Sequence, residues 1–162
     1  MMHATTNREL RAEIENSLFE EAELLDSWRL NEWVELFTED AISQVPALDD
    51  PSREPAQSVF LVADDLARIR SLVRQVMGES AWAENPRSQT CRLITNVRIT
   101  SVDGGTITAT ANFLVHRCRM KRISTFARYK LVRYNGSFKI AERKALLAQD
   151  TLRSQGTMSI IV

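Results

Sequence analysis

Apolar positions recur with a helical period in the first half of the chain and with a strand period in the second. Leu10, Ile14, Leu18, Ala22 and Leu25 are spaced by 4, 4, 4 and 3 residues, which predicts an amphipathic helix from about residue 8 to 26. The segment "WVELF" places Trp33, Leu36 and Phe37 on one side of a second, short helical piece packed against the first. "TEDAISQVPALDD" then predicts a turn, a short strand and a loop, and the proline-bearing "DPSREPAQ" has neither period and is read as loop. Val62, Leu66, Ile69, Val73 and Val76 return to a helical period, with Asp64 placed to cap the start and Gly78 to end it. "ESAWAENPRSQ" is a further loop.

From Thr90 the period becomes two. Cys91, Leu93, Thr95, Val97 and Ile99 alternate with Arg92, Ile94, Asn96 and Arg98, the two-residue period of a strand. Asp103-Gly104-Gly105 marks a hairpin tip, followed by a long strand from about Thr106 to Met120. A bend at "KRIST" leads to a strand from Thr125 to Tyr134. "YNGS" gives an Asn-Gly turn, and the next strand runs from Phe138 to about Leu147. Helices first and then an antiparallel meander define an α+β class, with the helices on one side of a curved sheet. The 162 residues suffice for one domain with its own core, spanning 1–162, with about residues 1–7 as a flexible tail.

Composition narrows the function. Lys plus Arg and Asp plus Glu both number 21, so there is no net basic footprint for nucleic acid. The charges are nonetheless segregated: the first forty residues are acidic, and residues 117–133 carry Arg117, Arg119, Lys121, Arg122, Arg128, Lys130 and Arg133. Two cysteines fit a reduced, cytoplasmic protein. The N-terminus turns polar at once, and no apolar run approaches the roughly 20 residues of a membrane helix.

The stretch "NFLVHRCRM" holds the candidate chemistry. His116 is the one histidine besides His3, and Cys118 and Cys91 are the only cysteines. A Rieske cluster needs two Cys and two His, and a non-haem iron triad needs two His and a carboxylate, so this chain is not expected to bind either metal. His116 and Cys118 point to one face of a strand with Cβ atoms roughly 7 Å apart, too far for a direct thiol–imidazole bond. Cys91 reads as a small buried residue. General acid–base work remains open: His116 aided by Asp40 or Tyr129 would suit a dehydratase, isomerase or cyclase. The five glycines include no phosphate-binding loop.

Taken in order, "SQTCRLITNVRI", "ANFLVHRCRM", "FARYKLVR" and "FKIAERKALLAQDTL", preceded by "EEAELLDSWRLNEWVELFTEDAISQVP", resemble the small (β) subunit of aromatic-ring-hydroxylating dioxygenases. The resemblance runs from about residue 8 to Val162. It implies a cone-shaped fold of the nuclear-transport-factor-2 (NTF2) or SnoaL-like kind. It further implies a homotrimer of β subunits beneath a trimer of catalytic α subunits (α3β3), with no nucleic-acid or membrane partner. The Rieske [2Fe-2S] cluster and the mononuclear Fe(II) would belong to α, and this chain would bind no cofactor and carry no catalytic residue. On that reading Arg117, Arg119, Arg122, Arg128 and Trp82 are candidates for subunit contacts, because Arg and Trp are favoured at interfaces. The competing expectation is a stand-alone cone-fold enzyme in which His116, Asp40 and Tyr129 line a common pocket.

Overall fold

In the computed structural model the described residues are 2–46, 60–78, 87–118 and 123–147, the side chains of 2–6, 60–61 and 123–125 excepted. Helix α1 (Met2–Asp26) begins earlier than its apolar stripe requires, and α2 (Leu30–Val34) follows after a sharp turn. Strands β1 (Phe37–Pro46) and β2 (Phe60–Asp65) lead to α3 (Leu66–Met77). Then come β3 (Thr90–Asp103), β4 (Thr106–Arg117), β5 (Ile123–Tyr134) and β6 (Ser137–Leu147). The strands form one six-stranded sheet in the order β2-β1-β6-β5-β4-β3, antiparallel except for the parallel pair β1–β6. All three helices lie toward one face. Ile14, Leu18, Leu25, Trp33, Ile69 and Val73 share one core with Ala109, Ala111, Phe113, Tyr129 and Leu131 of the sheet.

The α1 stripe is as expected, with Ile14, Leu18, Ala22 and Leu25 all buried. Its C-terminal turn is unusual. Trp28 takes the left-handed conformation (φ 57°), and the Arg29 amide donates back to the Leu24 carbonyl at 2.8 Å, closing a Schellman-type cap. A bulky residue there costs about 1–2 kcal/mol. The Trp28 indole offsets this by donating to the Ser88 carbonyl at 2.9 Å, which ties the α1–α2 corner to the approach of β3.

Two sequence expectations need correction. Val62 and its neighbours are not helical: Phe60–Asp65 pairs antiparallel with β1. The cap of α3 is therefore Asp65 rather than Asp64, its carboxylate accepting from the Arg68 amide at 2.8 Å. Gly78 does close the helix. The second correction concerns β3. Its alternation is interrupted at Asn96, a left-handed residue (φ 54°) at a register shift between Thr95 and Arg98. The extra residue exchanges the faces, so Arg92 and Ile94 point inward before it and Val97 and Ile99 after it. Cys91, Leu93 and Thr95 consequently face out, and Cys91 is exposed rather than buried. The two hairpin tips agree with their turn residues: Gly104 and Gly105 (φ 53° and 88°) and Asn135-Gly136 (φ 48° and 81°) form left-handed pairs. The "DPSREPAQ" loop, Trp82 and the first two residues, Lys121 and Arg122, of the predicted bend at 121–125 lie outside the described residues, while 123–125 already belong to β5.

Candidate functional site

The inner face of the sheet carries an interior of charged and polar side chains. Glu21 sits on the same stripe of α1 as Ile14, Leu18 and Leu25, so the helix that buries those residues drives a carboxylate into the core, where it is 1% exposed. Opposite it, Tyr129 of β5 and Arg143 of β6 are direct cross-strand partners. Both are buried, at 0% and 3% exposure. The Tyr129 hydroxyl donates to Glu21 Oε2 at 2.8 Å. Arg143 Nε and Trp33 Nε1 both donate to Oε1, at 3.0 and 3.2 Å. Every carboxylate oxygen is thus engaged, and the guanidinium lies 5.9 Å from the Tyr129 ring centre.

A second carboxylate continues this interior toward the sheet edge. Asp26, at the end of α1, accepts from Thr90 Oγ1 (2.7 Å), from the Arg92 amide (2.8 Å) and from the Arg92 guanidinium. Next to it Arg117 Nε donates to Ser88 Oγ at 2.8 Å, and Ser88 also receives the Trp28 indole through its carbonyl. Burial and the nearby Glu21 charge push the Tyr129 hydroxyl well above its ordinary value, so it remains a neutral donor. Burial alone would lower Arg143. The Tyr129 oxygen and Glu21 outweigh it, and the guanidinium is held charged. For Arg92 burial dominates and lowers the value, against the attraction of Asp26. The arrangement clamps α1 and α2 onto β3, β5 and β6.

The structure does not bring His116, Asp40 and Tyr129 together. Along β4 the odd-numbered residues Phe113, Val115 and Arg117 are buried, which sets His116 on the outer face, exposed and opposite Cys91. Asp40 is exposed on β1, whereas Tyr129 lies on the inner face beneath α1. The expected common pocket is therefore not formed by these residues. Cys118 lies in the turn just after β4, exposed and 4.0 Å from Gln89 Oε1. Arg117, expected at a subunit contact, is instead 6% exposed within its own chain. Arg128 is exposed on the outer face of β5; Arg119, Arg122 and Trp82 lie outside the described residues. Among the described residues no three of His, Cys, Asp and Glu converge to hold a metal, and the donor set does not fit a Rieske or mononuclear iron group. The Glu21 and Asp26 clusters escaped sequence reasoning, although a lone Glu inside an apolar helical stripe was a usable signal.

Residues 20–154 match the family described as the ring hydroxylating beta subunit. The chain belongs to this β-subunit family. The small oxygenase component of the p-cumate 2,3-dioxygenase system of Pseudomonas putida is 38% identical over 156 residues, covering 94% of this chain and 87% of that protein. Among solved structures, a chain of naphthalene 1,2-dioxygenase with indole bound in the active site superposes with a TM-score of 0.81. It is 20% identical, and the match covers 96% of this β subunit and 86% of that chain. An NTF2-like protein with a cystatin-like fold from Novosphingobium aromaticivorans gives a TM-score of 0.60 at 18% identity, over 94% and 89% of the two chains. The β subunit thus has the cone-shaped NTF2-like architecture. The concave side of its cone holds the Glu21 and Asp26 clusters. Among its described residues no helix is long and apolar enough to cross a membrane.

Proposed function

We propose that this chain is the non-catalytic, structural β subunit of the terminal oxygenase of an aromatic-ring-hydroxylating dioxygenase. Its role is to support assembly of a catalytic α subunit in an α3β3 complex of the cytoplasm. The α subunit carries the Rieske [2Fe-2S] cluster and the mononuclear iron, and performs the NAD(P)H- and O2-dependent hydroxylation. The observation that carries this reading is the buried joint beneath α1, where Tyr129, Arg143 and Trp33 all donate hydrogen bonds to the Glu21 carboxylate. Both Glu21 oxygens are engaged, so this carboxylate serves as a joint and not as a base.

The test is reconstitution. The α subunit, recognised by a Cys-X-His…Cys-X-X-His pattern in its sequence, is expressed with and without this chain, and dihydroxylation of an aromatic substrate is measured. Activity should require this chain and should survive His116→Ala. Turnover of any substrate by this chain alone, abolished by His116→Ala, would overturn the proposal.

A further inference from the structure

The bulge that turns Cys91 outward gives His116 a thiol neighbour that sequence spacing does not show. The β3–β4 register makes Cys91 and His116 direct cross-strand partners, and both are exposed on the outer face. Opposed residues of an antiparallel pair hold their Cβ atoms about 4.5–5.5 Å apart, against roughly 7 Å for residues two apart on one strand. At the shorter spacing the Cys91 sulfur and an imidazole nitrogen can meet at one point between the strands. The ladder continues past the pair, with the Cys118 amide donating to the Gln89 carbonyl at 2.9 Å, so the two side chains sit on a held rung.

The surroundings of the pair narrow what it can take. Among the described residues neither side chain has a hydrogen-bond or ion-pair partner. The next outward pair along the strands is Leu93 opposite Leu114, and Leu93 is 55% exposed. Glu142, a carboxylate of the same face, aligns through Lys130 with Thr108, eight residues along β4 from His116. That is about 26 Å at the rise of a strand. Asp26 lies on the inner face and is already engaged by Thr90 and Arg92. The Cys118 thiol is 4.0 Å from Gln89 Oε1, and no third His, Cys, Asp or Glu joins the pair among the described residues. One soft thiolate and one imidazole, without carboxylates, suit copper(I) and not the hard cations that oxygen ligands hold. Zinc would need four ligands, whereas a monovalent d10 ion accepts two in line.

We propose that Cys91 and His116 form a two-coordinate copper(I) site on the outer face of the sheet. The metal takes the place of the thiol proton, which leaves to solvent, and a neutral imidazole nitrogen supplies the second ligand. No electron changes hands. The site uses neither the α subunit nor its iron, so it stands apart from the β-subunit reading.

Anaerobic titration of the purified full chain with copper(I), in competition with the chromogenic chelator bicinchoninate, tests it. Wild type should withdraw one copper per chain from the chelator, less readily as the pH falls, because the metal competes with a proton. Cys91→Ser should abolish the withdrawal. His116→Ala should weaken it by more than about tenfold, since losing even an outer-shell partner of a metal ligand costs about 10–100-fold. Cys118→Ser should bind as wild type does. X-ray absorption of the loaded chain should show one sulfur and one nitrogen on the copper. Circular dichroism checks folding, and His116→Gln replaces the alanine variant should that one misfold. A wild type that withdraws no copper would overturn the site, as would binding that His116→Ala and His116→Gln leave unchanged. Binding lost in Cys118→Ser would overturn it too, by making the ligands two thiolates.

Discussion

Replacing Glu21 by Gln should be among the most damaging single changes available in the described interior. Glu21 accepts three hydrogen bonds, two of them at 2.8 and 3.0 Å from Tyr129 and Arg143, and it is the carboxylate facing a guanidinium with 4% of its side chain exposed. Removing one partner of a buried ion pair leaves the other charge uncompensated, at about 3–5 kcal/mol. A protein of this size loses roughly 2–4 °C of Tm per kcal/mol, so a drop of roughly 6–20 °C is expected. The same physics predicts strong non-additivity. With Glu21→Met and Arg143→Met together neither charge of this pair is left buried without its partner, and the double variant should lose much less than the sum of the singles. Urea unfolding of both singles and the double, at one protein concentration, measures this cycle. A loss under about 1 kcal/mol for Glu21→Gln, or additivity of the two Met substitutions, would refute the view that this carboxylate locks α1 to the sheet.

The Tyr129 hydroxyl is held above its ordinary value, so the folded state keeps its proton where the unfolded chain releases it. Stability should therefore be intact below about pH 10 and fall above it, with a slope of up to about 1.4 kcal/mol per pH unit. Tyr129→Phe should remove that alkaline loss, at a cost of about 1.5–3 kcal/mol at neutral pH for the missing bond to Glu21. Denaturation at stepped pH checks both, and an unchanged alkaline slope in the Phe variant would contradict the assignment. Asp26→Asn leaves Arg92 buried with a weaker acceptor. Because Asp26 is itself 23% exposed, the cost should lie below the fully buried case, at about 2–3 kcal/mol. Hydrogen exchange should show the Arg92 amide, which donates to Asp26, losing protection first; unchanged protection there would refute the joint.

The α1 stripe, the two left-handed hairpin tips and the order of the meander were legible because each rests on local chemistry: a 3.6-residue period, glycine and asparagine in turns, a two-residue alternation. What was misread depends on partners distant in sequence. Val62 sits in a short strand because β1 offers it a ladder, overriding a helical spacing that continues through it. The exposure of Cys91 follows from one bulge at Asn96, which leaves the composition of the strand unchanged but exchanges its faces. His116 and Arg117 are neighbours that differ only in parity. The residue with suggestive chemistry faces outward, and the arginine taken for a surface contact faces Ser88 inside. The interior clusters were hidden for the same reason. Glu21 lies more than a hundred residues from Tyr129 and Arg143, so only the fold shows that the three meet.

The central claim is that this chain supports a partner's chemistry, and it is tested most directly by purifying this chain, tagged, after co-expression with the Cys-X-His…Cys-X-X-His chain and measuring iron and subunit ratio. The β-subunit account predicts a coloured complex of the two chains in equal numbers, with all iron lost when the large subunit is omitted. A colourless β assembly that captures no large subunit, or iron bound stoichiometrically to this chain alone, would contradict it.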